Sequence, residues 1–283
     1  MLRSLSSGVS GIQQFQEQMD VISNNIANVN TTGFKSSRVE FADSFSATLR
    51  GSSSADGSAS GTPAIQVGSG VTTSGIKNIF TQGALARTGY QTDLAVDGDG
   101  FFVVRDPVTA TQYVTRAGDF RLDASGYLTN DTGLHVQGYS DGTSSSVGDV
   151  KIDDTGRPAT SDPAATFVSF SISPEGVIKV RLSDATEYTR GQILLQRFSD
   201  PQALQKEGLN LYSGMGAAGP LAAPSAPQSN GLGRIESGAL EVSNVDLANE
   251  FAAMITTQRA FQANARIITT SDEMLQELVA LKR

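Results

Sequence analysis

Two short motifs in the middle of the chain could carry chemistry. Residues 138–142 read Gly-Tyr-Ser-Asp-Gly, which matches the G-x-S-x-G pattern of a nucleophilic serine. That pattern needs a strand before the serine, a helix after it and a histidine later in the chain. His135, the only histidine in the sequence, precedes Ser140, and residues 143–148 do not predict a helix. The motif therefore indicates a β-turn.

The second motif, Asp-Gly-Asp-Gly at residues 97–100, resembles the start of a calcium-binding loop. Such a loop needs a glutamate at its twelfth position, where this chain has Val108. With one histidine and no cysteine, the chain has no residues for a His-rich or Cys-rich metal site. No phosphate-binding loop or dinucleotide fingerprint occurs. We therefore expect no catalytic residues, no metal and no cofactor, and the protein is not expected to be an enzyme.

Composition narrows the class of protein. The 283 residues suffice for two or three modest domains, and 29 glycines favour turn-rich β structure. A net charge of −8 argues against nucleic-acid binding and against binding to anionic membranes. No run of 18 apolar residues occurs, so no membrane insertion is expected. The N-terminus lacks the apolar segment of a cleaved signal peptide, so export, if it occurs, is expected to use another route.

Both ends of the chain predict long amphipathic helices. The last forty residues have apolar side chains at steps of three, four and seven, with no glycine or proline between them. The N-terminal stripe contains Leu2, Leu5, Val9, Ile12, Met19, Ile22 and Ile26 and is interrupted by Gly8 and Gly11. Two such stripes favour pairing of the termini, with the rest of the chain as a long insertion. The alternative is two ordinary core helices of a globular domain.

The middle of the chain predicts mainly β structure. Phe41 and Phe45, four residues apart, suggest a short helix. Residues 51–61 are almost entirely Gly, Ser and Ala and indicate a surface loop, or a segment that becomes ordered against neighbouring subunits. From residue 70, short β-branched runs separated by glycine turns predict strands. Three hairpins are expected, with their turns at residues 97–100, 123–126 and 174–176.

The expected fold class is α+β, with long terminal helices packed together in a coiled-coil-like arrangement and an antiparallel β domain between them. The expected domains are an N-terminal helix and turn (1–45), a Ser/Gly-rich connector (46–69), the β domain (70–225), a return linker (226–243) and the C-terminal helix (244–283).

Several segments together resemble one protein family. Residues 23–35 read Ser-Asn-Asn-Ile-Ala-Asn-Val-Asn-Thr-Thr-Gly-Phe-Lys, which is similar to the signature of bacterial flagellar rod and hook proteins. The residues of this motif that we single out are Asn24, Asn25, Ala27, Asn28, Gly33 and Phe34. Residues 80–83, 93–102, 113–120 and 238–283 resemble later segments of the family and occur in the family order.

The resemblance implies a structural subunit that polymerises into a helical tube. The terminal helices would form the inner domain and the β domain the outer layer. The residues expected to mediate self-assembly are Leu5, Val9, Ile12, Met19, Ile26, Leu247, Phe251, Met254, Phe261, Ile268 and Leu275. The far weaker alternative is a secreted β-domain enzyme or ligand-binding protein, which would keep its activity without the terminal helices.

Within the family, the two ends of the chain favour the short form of the hook protein, which transmits motor torque to the filament; the alternative is the distal-rod protein of the basal body. The chain has no room for the extra outer domain of many hook proteins. The implied partners are further copies of the chain, adjacent rod, hook-cap and hook–filament junction proteins, and the export apparatus. The implied location is the extracellular hook, or the basal-body rod under the alternative.

Overall fold

The computed structural model describes residues 2–52, 61–141, 146–153, 156–158, 165–221 and 223–281. The chain divides into two compact units. We call Met1–Ala27, Ser36–Ile79 and Val245–Arg283 the helix unit, and Asn28–Lys35 and Phe80–Asn244 the sheet unit. Two long terminal helices and many antiparallel strands confirm the predicted α+β class. In the described part of the chain, neither helix is both long and apolar enough to span a membrane.

The helix unit combines the two terminal helices with four strands. Its elements are α1 (Leu2–Ala27), β1 (Ser37–Asp43), β2 (Ser46–Arg50), β3 (Ile65–Gly68), β4 (Val71–Asn78) and α2 (Leu247–Leu281). Strand β1 pairs antiparallel with β4, and β2 pairs antiparallel with β3. Helix α2 begins after Asp246, whose carboxylate accepts hydrogen bonds from the backbone amides of Ala248 (2.9 Å) and Asn249 (3.4 Å) as an N-cap.

The short helix expected around Phe41 and Phe45 is wrong. Phe41 lies in β1, opposite Thr73 of the β-branched strand β4. Its ring also contacts Phe15 of α1, with centroids 6.1 Å apart in an edge-to-face arrangement. A partner strand distant in sequence and a ring contact thus override the local four-residue spacing.

The sheet unit contains the remaining strands. They are β5 (Leu85–Arg87), β6 (Leu94–Asp97), β7 (Phe101–Arg105), β8 (Gln112–Thr115), β9 (Arg121–Leu122), β10 (Leu128–Thr129), β11 (His135–Tyr139), β12 (Val147–Asp149), β13 (Phe167–Ile172), β14 (Val177–Leu182), β15 (Glu187–Ile193), β16 (Leu195–Gln196), β17 (Gln205–Gly208), β18 (Leu211–Ser213), β19 (Arg234–Ser237) and β20 (Ala239–Glu241). A 3-10 turn spans Pro201–Ala203. Among the described residues, the largest sheet has the order β13-β14-β15-β11-β7-β8-β18-β17 along its main path.

Strand β7 lies at the centre of the sheet unit. Phe102 and Val104 face one apolar cluster, together with Leu94, Leu128 and other buried residues. Phe101 and Val103, two residues further along the strand, face a second cluster that includes Tyr212. Because successive side chains of a strand point to opposite faces, a strand covered on both faces is apolar throughout, as β7 is at residues 101–104.

Two of the three expected hairpins are confirmed: β9 pairs with β10, and β13 pairs with β14. The hairpin expected around residues 97–100 is wrong, because β6 pairs with β19 and β7 pairs with β8. The turn instead carries the chain from one sheet to another. Gly98, at φ +112°, allows this passage, since a Cβ there would lie 2.9 Å from the Cα of Gly233.

Strands also occur where linkers were expected. Residues 46–69 contain β2 and β3, and residues 226–243 contain β19 and β20. The expected domain boundaries concern which segments fold independently, and they stay predictions.

Candidate assembly surface and connector cluster

Helices α1 and α2 pack along a seam whose most buried positions are mostly small or polar. On α1 the most buried positions are Gly8, Gly11, Ile22 and Asn25, and on α2 they are Thr257 and Ser271. A Cβ at Gly11 would lie 2.6 Å from the Nδ2 atom of Asn264. The two glycines that interrupt the apolar stripe in the sequence are therefore positions at which the helices approach closely.

The structure divides the expected self-assembly residues between this seam and the surface. Those partly buried within one chain are Leu5, Ile12, Met19, Ile26, Met254, Phe261, Ile268 and Leu275. The exposed ones are Val9, Leu247 and Phe251, the last with 50% of its surface accessible. Their role in assembly stays a prediction.

The helix unit has little apolar core of its own. Among its described residues, Ile22 is the single large apolar side chain that is fully buried. Fifteen large apolar side chains are exposed there: Val9, Phe41, Phe45, Leu49, Ile65, Val67, Ile76, Leu247, Phe251, Ile255, Ile267, Met274, Leu278, Val279 and Leu281. Because large exposed apolar patches are uncommon on monomeric soluble proteins, the helix unit is a candidate interaction surface.

The first part of the family-like motif lies in the helix unit, at the end of α1. Asn25 is buried, and its Oδ1 accepts a hydrogen bond from the backbone N–H of Ser37 (3.0 Å), while its Nδ2 donates to the Ser37 carbonyl (2.9 Å) and to Oε1 of Glu250 (3.1 Å). Burial raises the pKa of Glu250, the bond from Asn25 opposes this shift, and the charge of Asp246 adds to it. Asn24 and Ala27 are exposed.

The second part of the motif lies in the sheet unit. Asn28 accepts hydrogen bonds from Thr31 through its carbonyl and its side chain, each at 3.1 Å, which closes a turn. Gly33 has φ +66°, and a Cβ there would lie 2.5 Å from the backbone nitrogen of Ala117. No other residue type fits this position without a shift of backbone. Phe34 is buried, with the ammonium of Lys206 4.4 Å from its ring centroid.

The motif ends in a buried ionic cluster. The Nζ atom of Lys35 lies 2.6 Å from Oε1 of Glu241 and 2.8 Å from the carbonyl oxygen of Thr81. Glu241 also accepts from the backbone N–H of Gly83 (2.9 Å) and from Arg116 (3.4 Å). The side chains of Lys35 and Glu241 are 1% and 0% exposed. Burial lowers the pKa of the Lys35 ammonium, and the Glu241 carboxylate opposes this shift.

Sequence reasoning missed this cluster. The available signal was a charged residue at position 241 between Leu240 and Val242, in a short β-type run. A charge in such a run is more often solvated. The partner of Glu241 is Lys35, 206 residues away in the chain. A single sequence does not reveal that pairing.

The residues that suggested chemistry have structural roles. The ring of His135 stacks on Tyr127, with centroids 4.6 Å apart, and its Nδ1 lies 3.0 Å from the carboxylate of Asp149. The hydroxyl of Ser140 lies 3.3 Å from that of Ser146, while Gly142 lies outside the described residues. Over the described ranges, no group of three or more His, Cys, Asp or Glu side chains is placed to hold a metal.

Comparison with known proteins adds independent evidence. Residues 5–35 match the family model described as flagella basal body rod protein, residues 95–180 match the D1 domain of flagellar hook protein FlgE/F/G, and residues 236–281 match the C-terminal region of flagellar basal body rod FlgEFG proteins. The flagellar basal-body rod protein FlgG of Bacillus subtilis (strain 168) is 44% identical over 283 residues, covering 100% of both chains. This chain belongs to the flagellar rod and hook protein family.

Two further members of the family show how length varies within it. The flagellar basal-body rod protein FlgG of Borreliella burgdorferi is 35% identical over 294 residues and covers 100% of both chains. The flagellar hook protein FlgE of the same organism is 28% identical, again over 100% of both chains, but its alignment runs to 444 positions. Because this chain has 283 residues, the hook protein must contain long insertions. The comparisons thus support the rod alternative better than the hook interpretation.

Proposed function

We propose that this protein is a structural, non-enzymatic subunit of the flagellar basal-body rod, the distal-rod alternative of the sequence analysis. The rod relatives support this proposal because they align with the chain from end to end at almost equal length. The hook relative is less similar and much longer.

We further propose that subunits polymerise through the helix unit. The observation that carries this proposal is the distribution of large apolar side chains in the helix unit: among its described residues, one is buried and fifteen are exposed. Burial of apolar surface is worth roughly 25 cal/mol per Å², so covering these side chains with neighbouring subunits would drive assembly. The expected assembly residues Leu247 and Phe251 are in this exposed set.

The exposed residues of α2 favour more than one neighbour. Leu247, Phe251 and Ile255 lie near its start, whereas Ile267, Met274 and Leu278 lie toward its end. At 3.6 residues per turn, these two groups fall on different sides of the helix, although Ile267 also borders α1, since its Cγ2 lies 3.8 Å from the position of a Cβ at Gly8. Contacts with two different neighbours that do not close into a ring produce an open helical assembly.

The hairpin of β2 and β3 offers a second surface for neighbouring copies. A two-stranded hairpin is marginally stable in water by itself, and this one leaves Leu49, Ile65 and Val67 exposed. Phe45, just before β2, is 91% exposed. We propose that neighbours cover this hairpin and that it acts as a spacer which limits sliding between subunits. The segment between its strands was singled out in the sequence, and its residues 53–60 lie outside the described residues.

Electron microscopy of the purified full-length protein tests the proposal. A rod subunit is expected to form straight, stiff tubes, and curved tubes would return the hook interpretation. Deletion of residues 52–60 is expected to lower tube stiffness, and an unchanged bending response would make this segment a surface loop.

A charge on the exposed face of α2 tests the assembly surface. Phe251→Glu is expected to abolish assembly because it places a charge within an apolar contact, at a cost of several kcal/mol. It should leave the melting of the sheet unit unchanged. Val108→Glu is the matched control, since Val108 is 89% exposed and lies in the sheet unit. Normal assembly of Phe251→Glu would contradict the proposed surface.

Substitutions on the side of α2 that faces α1 test the seam. The side chains of Met254 and Phe261 are both partly buried within the chain. We expect Met254→Glu or Phe261→Glu to block assembly too, because a charge at either position would disrupt the packing of the helices that neighbouring subunits contact. Adjacent rod proteins are the proposed neighbours beyond further copies of the chain. The proposed location is the basal body, which the chain would reach through the flagellar export apparatus.

A further inference from the structure

The chain passes between its two units at four places, after residues 27, 35, 79 and 244. On the side of the sheet unit, the last three passages are at Lys35, Phe80 and Asn244. Any force that reaches the sheet unit along the backbone must enter through these passages or through the one at Asn28.

Hydrogen bonds within the sheet unit join these three passages to one another. The carbonyl oxygen of Thr81, next to Phe80, accepts from Nζ of Lys35 (2.8 Å) and from Nδ2 of Asn244 (3.3 Å). Nδ2 of Asn244 also lies 2.9 Å from the Thr81 hydroxyl. Glu241, three residues before Asn244, accepts from Lys35. Thr81, beside the passage at Phe80, is thus hydrogen-bonded to the residues at the other two passages, Lys35 and Asn244.

Backbone contacts join the same segments of the sheet unit. The N–H of Gly33 donates to the carbonyl of Glu241 (2.8 Å), and the N–H of Val242 donates to the carbonyl of Ala84 (2.9 Å). A Cβ at Gly83 would lie 1.9 Å from the carbonyl oxygen of Val242, so these two segments touch backbone to backbone. Water is largely excluded from Lys35 and Glu241 and competes little for their hydrogen bonds.

We propose that Lys35, Thr81, Glu241 and Asn244 form a load-sharing clamp that protects the sheet unit against force entering through its chain passages. Because the passages are bonded to one another, pulling on one loads all the bonds together. Without these bonds, the same force would peel β20 or the segment before β5 away one hydrogen bond at a time. The clamp concerns resistance to force and goes beyond assembly; its use in the rod rests on the proposed function.

Single-molecule force spectroscopy on the full chain tests the clamp. The sequence contains no cysteine, so cysteine pairs introduced for attachment are unique. Handles at Arg38 and Asp246 load the passages at Phe80 and Asn244 along the backbone between them, and they load Lys35 through the short segment that joins it to Arg38. Handles at Val108 and Ala185, on two exposed turns, load the sheet unit along a path that avoids the clamp. Unfolding of the sheet unit is recognised by the length it releases, at about 3.3–3.6 Å per residue.

The informative variant is Lys35→Met with Asn244→Ala. It removes the side-chain bonds to Thr81, while Glu241 keeps the N–H of Gly83 and the guanidinium of Arg116 as partners. We expect the unfolding rate at constant force to rise about tenfold or more along the 38–246 axis, since several hydrogen bonds in the load path are lost. Along the 108–185 axis the rate should stay unchanged.

Two results would overturn the proposal. An equal acceleration along both axes would show that these residues contribute only to general stability, and no acceleration along the 38–246 axis would show that they bear no load. If the double variant does not fold, Asn244→Ala alone provides the same comparison, because Asn244 lies at the partly exposed edge of the group. Neither result would affect the assembly test with Phe251→Glu, so the clamp and the proposed function can fail separately.

Discussion

The side chain of Asn25 binds the backbone of Ser37 as a neighbouring strand would, accepting from its N–H at 3.0 Å and donating to its carbonyl at 2.9 Å. Asn25 lies in the last turn of α1 and Ser37 begins β1, and both belong to the helix unit. The second bond of Nδ2, to Glu250, ties this pair to the first turn of α2. An asparagine is needed here because one side chain must both accept and donate.

Asn25→Asp should therefore destabilise the helix unit by about 1–3 kcal/mol at pH 7. The substitution replaces the donor with a carboxylate oxygen that faces both the Ser37 carbonyl and Glu250. Below pH 4 the loss should shrink, because protonation of the new carboxyl restores a donor. Helix melting followed by circular dichroism at the two pH values checks this. A loss of equal size at both would mean that the donor is unimportant.

Glu250→Gln should stabilise the helix unit at pH 7. Burial raises the pKa of Glu250 above the ordinary 4.5, so its contribution to stability is fully present below that value and is lost as pH rises through the folded pKa. Glutamine can still accept the bond from Asn25 and carries no charge. We expect a higher melting temperature than wild type at pH 7 and no difference at pH 4. Glu273→Gln, at an exposed position of α2, is the control and should change neither.

Asp149→Asn should have the opposite pH dependence, in the sheet unit. Burial alone would raise the pKa of Asp149, but hydrogen bonds from Arg105, Gln137 and His135 outweigh it and lower the pKa. Its contribution is therefore present above the ordinary 3.8 and is lost as pH falls through the folded pKa. We expect a loss of about 2 kcal/mol at pH 7 that disappears in acid.

Denaturant unfolding at a series of pH values measures this loss. Asp123→Asn, at an exposed turn between β9 and β10, is the control and should show little change at any pH. A loss for Asp149→Asn that persists in acid would point to lost packing rather than lost charge.

Gly33→Ala and Gly89→Ala separate backbone strain from close contact. Both glycines have positive φ, +66° and +79°, but a Cβ at Gly33 would lie 2.5 Å from Ala117 whereas none of the described atoms lies within 4 Å of a Cβ at Gly89. We expect about 1 kcal/mol of destabilisation at Gly89, from left-handed strain alone, and at least about 3 kcal/mol at Gly33. Equal losses in denaturant unfolding would show that the segment around Gly33 can move aside.

The sequence predicts the two helices because their pattern is local and repeats every few turns. Prediction from the sequence fails where two residues that contact each other in the fold are far apart in the chain. The turn at residues 97–100 resembles that of a hairpin, but Asp97 pairs with Arg234, 137 residues away. Gly8 and Gly11 resemble interruptions until α2 is in place beside them. Lys35 and Glu241 carry no periodic signal, and only the folded chain brings their charges together.

The last prediction concerns the free subunit. The seam between α1 and α2 contains Gly8, Gly11, Thr257 and Ser271 at its most buried positions, and Ile22 is the one large apolar side chain buried in the described part of the helix unit. Helices that are not packed into an apolar core are marginal in water. We therefore expect amides of residues 2–28 and 245–281 to exchange rapidly in the monomer and at least about 100-fold more slowly in the assembled tube. Amides of β7 and β11 should be protected in both states, because their strands lie inside the sheet unit.

Hydrogen exchange with mass spectrometry resolves these segments, and Phe251→Glu, which cannot assemble under the proposal, supplies a monomer at the same concentration. Strong protection of the terminal helices in that monomer would show that α1 and α2 stabilise each other within one chain. Assembly would then have to be driven by the exposed surface alone, without coupled folding.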